Sequence, residues 1–530
     1  MPAIESVPTA TEPVSTSAPS RLSPRVCLLL ILISLLAIHT AVAATDPKRV
    51  DVILWFDTED YLLPADDDAC KRLAEMLTER QIRATFKVVG EKARVLEKRG
   101  RRDVIAALKK HDIGYHANFH SVHPTPSEYL ADCGWLDGIA EFVRREGGGA
   151  ADVRRVFSVE TLVCYGQPGS SWAPQTMAGL KQIGVAPHGI PCYVDEGTHV
   201  GLNEQPFWYA GALMVYHMGK NYTRMELHSP DAVEPAKQKV SAIANRLGDG
   251  GGGLISIFYH PCEWVHKEFW DGVNFRRGAN PPRELWKPPP QRPPEETEAA
   301  FRRFGEYVDH IRAIPGVRFV TAGELPELYP DLTHAEGASE KDVAELAGRI
   351  AGSSAPVLDI QTIGNRAYSL ADQFELLSVA VSQLIQGKPQ FPIKVKGIQG
   401  PDAAPPASRS DARLSWFAFR DPTLDVLDFI NTQQRVPSRV FIGADAVPPS
   451  DFLSALASAY VFHGKNGKLP TDDGVSLGNN LTPAPARYVA QDTPGLFGGW
   501  IIHKEGFRAP KIVDQARLQA WTLKPAIRGN

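Results

Sequence analysis

Cysteine is scarce, six in 530 residues, and no two stand as a CxxC pair, which excludes a thiolate zinc site of the usual spacing. Charge of one sign is also lacking. The formal net charge is −4, so the composition offers no basic surface to a polyanion, and no nucleic-acid partner is expected. Long apolar runs are absent apart from one at 26–43. Histidine is sparse too, 15 residues in all, yet His116, His120 and His123 crowd into "GYHANFHSVHPTP" (114–126). Either these imidazoles hold a metal, or the loop is only rich in histidine.

What is present reads as a soluble globular chain long enough for two or three domains, with 43% hydrophobic and 22% charged residues. The one apolar run, "VCLLLILISLLAIHTAVA", follows Arg21 and Arg25 and ends in Ala41-Val42-Ala43. A charged region, an apolar region and an Ala-x-Ala triplet, in that order, mark an export signal. Residues 1–43 are therefore expected to be a cleaved signal peptide, and the protein to be periplasmic, in the cell envelope or secreted. If the segment stays uncut it is barely long enough to anchor the chain, and only then is a membrane a partner. Cys27 lies in this segment. The other five cysteines have no pairing that spacing reveals.

From residue 49 the chain alternates strand-like and helix-like segments. "RVDVILWF" (49–56) is a buried-strand run; "ADDDACKRLAEMLTERQI" (65–82) puts Leu73, Met76 and Leu77 on one helical face; "RATFKVVG" (83–90) is a second strand. A helix and a strand then lead to the histidines. Further strands are expected at 154–166, 254–260 and 317–325, and a helix after the proline-dense stretch 280–296. Such alternation implies parallel strands with crossover helices, in one α/β domain over 48–330.

Chemistry in such folds sits where strands end. The first strand ends in Asp57, Glu59 and Asp60, the third in the histidine cluster, and a late one in His260 and Glu263. One carboxylate with two neutral imidazoles is a common donor set for a catalytic divalent ion. His116 and His120, four apart, can reach one ion, and so can His120 and His123. A second carboxylate can take the proton of a water and a further histidine can protonate a leaving group, which together hydrolyse an acyl bond.

At these residues the chain resembles the polysaccharide deacetylase family, the carbohydrate esterases with a NodB homology domain, over about 50–330. "WFDTEDY" matches the strand ending in paired acids, "ATFKVVG" the second strand, "GYHANFHS" the two-histidine segment, "ISIFYHP" the late histidine strand and "RFVTAGEL" the closing strand. The resemblance implies a distorted (β/α) barrel and a divalent ion, zinc first among candidates. It also implies His116, His120 and either Glu59 or Asp60 as ligands, Asp57 as general base and His260 as general acid. His123, Pro168, Glu263 and Trp264 are expected to line the substrate cleft. One departure stands out. The family's Arg-x-Pro-x-Gly is represented by "GQPG" (166–169), with Gly166 where an arginine should hold the base.

A linker is expected at 331–341 and a smaller, mostly helical domain over 342–530. "IGNRAYSLADQFELLSVAV" (363–381) and "IGADAVPPSDFLSALASAY" (442–460) align without gaps at an offset of 79. The units, about 342–395 and 420–470, resemble pseudomurein-binding repeats, either anchoring a glycan or packing against the barrel. From "KLPTDDG" (468–474) onward no motif is found. The expected function is an exported metal-dependent hydrolase removing N-acetyl groups from a polysaccharide or peptidoglycan-like glycan. Two alternatives are a catalytically impaired glycan-binding protein and an amide hydrolase acting on a small cyclic amide.

Overall fold

Strand β1 (Val50–Thr58) is buried along its whole length, and three strands pair with it in parallel. β2 (Thr85–Val88) takes the second half of its ladder, Trp55 to Thr58, and β8 (Val317–Val320) the first, Val50 to Ile53. β7 (Gly253–Tyr259) runs beside Val50 to Phe56. A strand covered on every side reads as a continuous apolar run, as β1 does. The computed structural model describes residues 49–353, 355–408 and 413–529. The expected export segment, 1–43, lies outside them. Among the described residues no helix is long and apolar enough to cross a membrane, and Cys70, Cys133, Cys164, Cys192 and Cys262 carry free thiols.

β3 (Asp112–Tyr115) continues the sheet on β2. Single-residue bridges from Tyr115 to Tyr165 and on to Tyr193 carry the parallel path to β4 (Cys192–Val194), and β6 (Ala212–Val215) follows beside it. A bridge between Tyr222 and Ser256 returns the path to β7. The result is an interrupted ring of parallel strands, a distorted (β/α) barrel. α1 (Pro64–Glu79), α4 (Trp135–Phe157), α5 (Val233–Asp249) and α6 (Pro294–Ala313) each bury one face in its outer core. The shorter α2 (Gly90–Lys98) and α3 (Arg102–Leu108) connect β2 to β3. Pro64 opens α1 at a position whose N–H has no partner within the helix.

The strand expected at 154–166 is a correction. Its first residues close α4, where Ala150, Val153 and Phe157 recur at helical spacing on the buried side. Ser158, with φ +51°, ends the helix in the left-handed region. Of the remainder Leu162 makes a single bridge to Val185, outside any strand, and Tyr165 bridges to strands on either side.

The internal repeat is a hairpin followed by a helix. β9 (Gln361–Ile363), β10 (Arg366–Tyr368) and α8 (Leu370–Ile385) make the first copy. β11 (Val440–Ile442), β12 (Asp445–Val447) and α10 (Pro449–Asn466) begin 79 residues later. The glycines shared at 364 and 443 turn the two hairpins with φ +59° and +61°, which explains their identity. Helices α7 (Glu340–Ala351) and α9 (Trp416–Gln433) precede the copies, and each packs on the other copy's helix, α7 on α10 and α9 on α8. These elements share a core of their own.

After residue 483 the chain returns to the barrel. Leu496, Phe497, Ile512 and Leu523 join the barrel core, as does α11 (Pro510–Gln519). β13 (Lys524–Pro525) adds an antiparallel strand to β5 (Phe207–Tyr209). The ammonium of Lys524 is buried and ties three stretches together. It lies 2.8 Å from Asp331 and 2.9 Å from Asp372 in the first turn of α8. His334 meets the same two carboxylates, at 2.9 and 2.7 Å, so Lys524→Met removes one of two cations and should cost about 1.5–3 kcal/mol, the scale of hydrogen bonds to charged groups. Chemical denaturation should show that drop. A midpoint within experimental error of the parent would mean the network adds nothing to stability.

Candidate functional site

The ends of β1 and β7 and the loop after β3 converge on one cavity of about 370 Å³. The loop can double back because Ala117 and His120 both adopt left-handed backbone, φ +63° and +58°, which brings His120 beside His116. Held strain of this kind at non-glycine residues is common where a site demands a particular geometry.

Glu59, His116 and His120 present one ligand atom each within a common 4.8 Å sphere of mutual approach, and all three are buried. The His120 Nε2 atom is 2.8 Å from Glu59 Oε2 and 3.2 Å from His116 Nε2. Neither Glu59 oxygen accepts a hydrogen bond, although both are buried. A buried carboxylate without a donor is costly unless a cation meets it. The imidazoles are oriented for the same task. His116 Nδ1 donates to the carbonyl of Gly166 at 3.0 Å, leaving the lone pair of Nε2 facing Glu59. His120 Nδ1 is 2.7 Å from Ser121 Oγ, which donates to Asp271 at 2.8 Å. Hydrogen bonds to the far ring nitrogen are the usual support of metal-ligating histidines. Burial holds both rings neutral, His116 well below its ordinary value and His120 at about 4, while burial pushes Glu59 up. The donor set fits a divalent cation.

Asp57 stands beside this set and is held by a residue that sequence reasoning missed. Asp57 and Lys87 are register partners on β1 and β2. The fully buried Lys87 ammonium lies 2.9 Å from Asp57 Oδ1 and 3.0 Å from Asp195 Oδ2, donates to the Val194 carbonyl at 2.8 Å, and sits 4.1 Å over the Trp55 ring. The glycine at 166 now has a physical reason. A Cβ there would fall 1.9 Å from Lys87 Nζ and 2.6 Å from Asp195. The cation beside Asp57 comes from β2 instead. Its signal was in the sequence, a lysine inside the apolar run "ATFKVVG".

Opposite, His260 Nε2 is 3.7 Å from Asp57 Oδ2. Its Nδ1 is hydrogen-bonded to Glu263 at 2.8 Å, and Glu263 in turn pairs with Arg224. Burial opposes a charge on His260, but the Glu263 hydrogen bond and the carboxylates of Glu59 and Asp57 outweigh it and raise the imidazole to about 9.

The remaining expected residues scatter. Asp60 turns away from the histidines toward His266, 3.0 Å off, so Glu59 is the carboxylate in the donor set. His123 leaves the cluster to bond Glu128 at 2.7 Å. Trp264 is packed in the core against Phe56, Tyr259, Phe301 and Phe304, because its ring completes an aromatic layer behind β1. Pro168 is buried between the cavity-lining Gln167 and Gly169 but does not line the cavity itself. Asp271 had no signal that could have found it, since its role depends on Ser121, 150 residues away.

No family model matches the chain, and no curated protein does. Among solved structures, it is similar to a family 4 acetyl xylan esterase from Clostridium thermocellum in complex with a cobalt ion. The identity is 16% and the TM-score 0.27, over 52% of this chain and 90% of that one. It is also similar to the peptidoglycan deacetylase PdaC from Bacillus subtilis, at 13% identity and a TM-score of 0.24, over 53% and 92% of the two chains. For Puue allantoinase the identity is 10% and the TM-score 0.35, over 53% and 92%. Nothing in these comparisons supports the pseudomurein-binding resemblance of the repeats.

Separate substitutions of the two candidate carboxylates test the donor set. Glu59→Gln should lower zinc affinity by more than the roughly 10–100-fold that loss of an outer partner costs, and Asp60→Asn should keep a stoichiometric ion. Metal content by atomic emission after dialysis decides between them; retention by Glu59→Gln would move the ligand elsewhere.

Proposed function

We propose that this chain is an exported, metal-dependent hydrolase that removes N-acyl groups, N-acetyl first among them, from a glycan. The observation that carries the reading is the floor of the one cavity. A cation-ready set of Glu59, His116 and His120 lies there, with Asp57 and His260, 3.7 Å from each other, beside it. Two imidazoles and a carboxylate favour zinc. The chemistry such an ion supplies is Lewis acidity toward an acyl oxygen and toward water.

Hydrolysis of an amide needs one proton removed from water and one delivered to nitrogen. Asp57, kept beside the Lys87 ammonium, receives the first at Oδ2, the oxygen that Lys87 leaves open. His260 delivers the second from Nε2, because Glu263 occupies Nδ1. The C–N bond breaks, the acyl group leaves as a carboxylate and the nitrogen as an amine. Loss of the arginine at 166 was the one feature favouring an impaired, glycan-binding protein. Lys87 supplies that positive charge, so the hydrolase reading stands. Export rests on the order of charged, apolar and small residues over 21–43. The glycan rests on the ordered motifs shared with polysaccharide deacetylases.

The proton roles give a pH dependence. His260 must be protonated, and its folded value is about 9. Turnover should therefore persist through neutral pH and fall as pH rises past that value. Glu263→Gln removes a carboxylate that raises His260 and should move the alkaline limb to lower pH. His260→Ala should abolish the limb and cost a factor on the order of 10²–10⁴. A limb unmoved in Glu263→Gln would assign it to another group.

Lys87 is open to a compensation test. Lys87→Met should lower kcat by about 10² or more with KM little changed, since only the group that positions Asp57 is lost. Removing Lys87 also takes away the atom nearest to a Cβ at 166, Nζ at 1.9 Å, leaving the Asp195 carboxylate, 2.6 Å off, to shift and pair with the new cation. The pair Lys87→Met with Gly166→Arg returns a cation from the segment after β3 and α4 and should recover part of kcat. Equal losses in the single and paired variants would show that the charge has no part in turnover.

A further inference from the structure

The stretch after residue 483, which has no recognisable motif, supplies a wall of the cavity. Gly495, Leu496, Gly499 and Trp500 line it together with Asp57, Glu59 and His260. The segment is fastened on both sides of Trp500. Ser170 Oγ donates to the Phe497 carbonyl at 2.7 Å, and His503 Nδ1 meets the same oxygen at 2.8 Å. Arg277 and Gly278 donate backbone N–H groups to Ile501 and Ile502, both at 2.7 Å. The indole of Trp500 presses on Gly169, where a Cβ would lie 2.4 Å from the ring, and its centroid is 6.0 Å from that of His120. The wall therefore stands beside the metal donors and is built to stay.

The cavity also holds polar groups that the protein leaves unused. Trp500 Nε1, Glu196 Oε1 and His199 Nε2 are buried without a hydrogen-bond partner, and all three residues line it. Unpaired buried groups are rare in folded proteins and costly unless something meets them. None of the three is needed for the proton transfers assigned to Asp57 and His260. One indole donor and two further hydrogen-bonding atoms around a volume of about 370 Å³ suit a compact molecule with several hydroxyl or amide groups. That volume is at the low end of the roughly 300–1,000 Å³ of small-molecule pockets.

We propose that the cavity is a pocket for a single N-acylated sugar ring, free or at the end of a chain, and that Trp500 excludes rings linked on both sides. This rests on the hydrolase reading above and narrows its substrate from a glycan's interior to its terminus. The ring's hydroxyls satisfy Trp500, Glu196 and His199, while its acyl group faces Glu59, His116 and His120.

The test uses the full-length zinc-loaded protein with N-acetylglucosamine and its β-1,4-linked hexamer. Released acetate is measured, and the deacetylated position is mapped by mass spectrometry. The parent should act on the single sugar and on one terminal ring of the hexamer. Trp500→Gly should deacetylate internal rings at least tenfold faster than the parent. Internal deacetylation by the parent at a rate matching the terminal one, or an unchanged pattern in Trp500→Gly, would overturn the proposal. Should no probe be hydrolysed, the hydrolase reading fails, and calorimetry on zinc-loaded Asp57→Asn still decides the pocket. There the single sugar should bind, and Glu196→Leu added to that variant should weaken binding about tenfold, the scale of one hydrogen bond. No binding of the sugar, or no change with Glu196→Leu, would overturn the pocket assignment.

Discussion

A lysine ammonium between two carboxylates, all three buried, sets the terms for the rest of the site. Two buried carboxylates side by side repel unless a cation is shared between them, and for Asp57 and Asp195 Lys87 is that cation. The arrangement fixes several other features. It demands glycine at 166, and the carbonyl of that same glycine holds His116 in its tautomer. It draws the loop after β4 against the cavity, so that Asp195, Glu196 and His199 become part of its lining. A second chain of charges, Arg224 to Glu263 to His260, reaches the cavity beside the first with the signs reversed. Between the two arms Glu59 is left without a hydrogen bond. The site is thus polarised before any ligand enters: a carboxylate and an imidazole 3.7 Å apart, with a place for positive charge beside them.

Which parts were legible in the sequence follows from how local their causes are. β1 and β7 could be read because strands buried on both faces are apolar throughout. His116 and His120 could be read because one loop carries both. The choice between Glu59 and Asp60 could not, since adjacent acids diverge only once His266 is placed next to Asp60. The stretch 154–166 misled because Val156, Phe157, Val159 and Leu162 suit a strand as well as the end of a long helix. Trp264 misled because a tryptophan beside a catalytic histidine looks like a stacking platform, yet Phe56, Phe301 and Phe304 close around it. Lys87 and Gly166 were each visible as oddities, and only the β1–β2 register shows that one answers the other.

The repeat illustrates the same limit from the other direction. Its period of 79 residues was exact in sequence, and the hairpin–helix units keep it residue for residue. Sequence alone did not show that the flanking helices trade places, α7 covering the second copy's helix and α9 the first's. Neither copy encloses its own apolar face. The pair therefore has one core rather than two, and the shared aspartates, Asp372 and Asp451, end in different surroundings. Asp372 meets Lys524 and His334, whereas Asp451 accepts hydrogen bonds from Ser408 and the Leu481 backbone.

The late return of the chain to the barrel has a consequence in time. Ala210 bonds Thr522 across 312 positions, and β5 gains its outer neighbour only when Lys524 and Pro525 arrive. Contacts so distant along the chain are closed late and slowly. Made from its first residue onward, the chain therefore carries an unpaired sheet edge and a cavity missing one wall until synthesis has passed residue 525. The half-made molecule already has Asp57, His260 and the Glu59–His116–His120 set in place, but not the wall that Gly495 to Trp500 form beside them. Selectivity is the last property this protein acquires, and a chain cut short by a few dozen residues would lose it first.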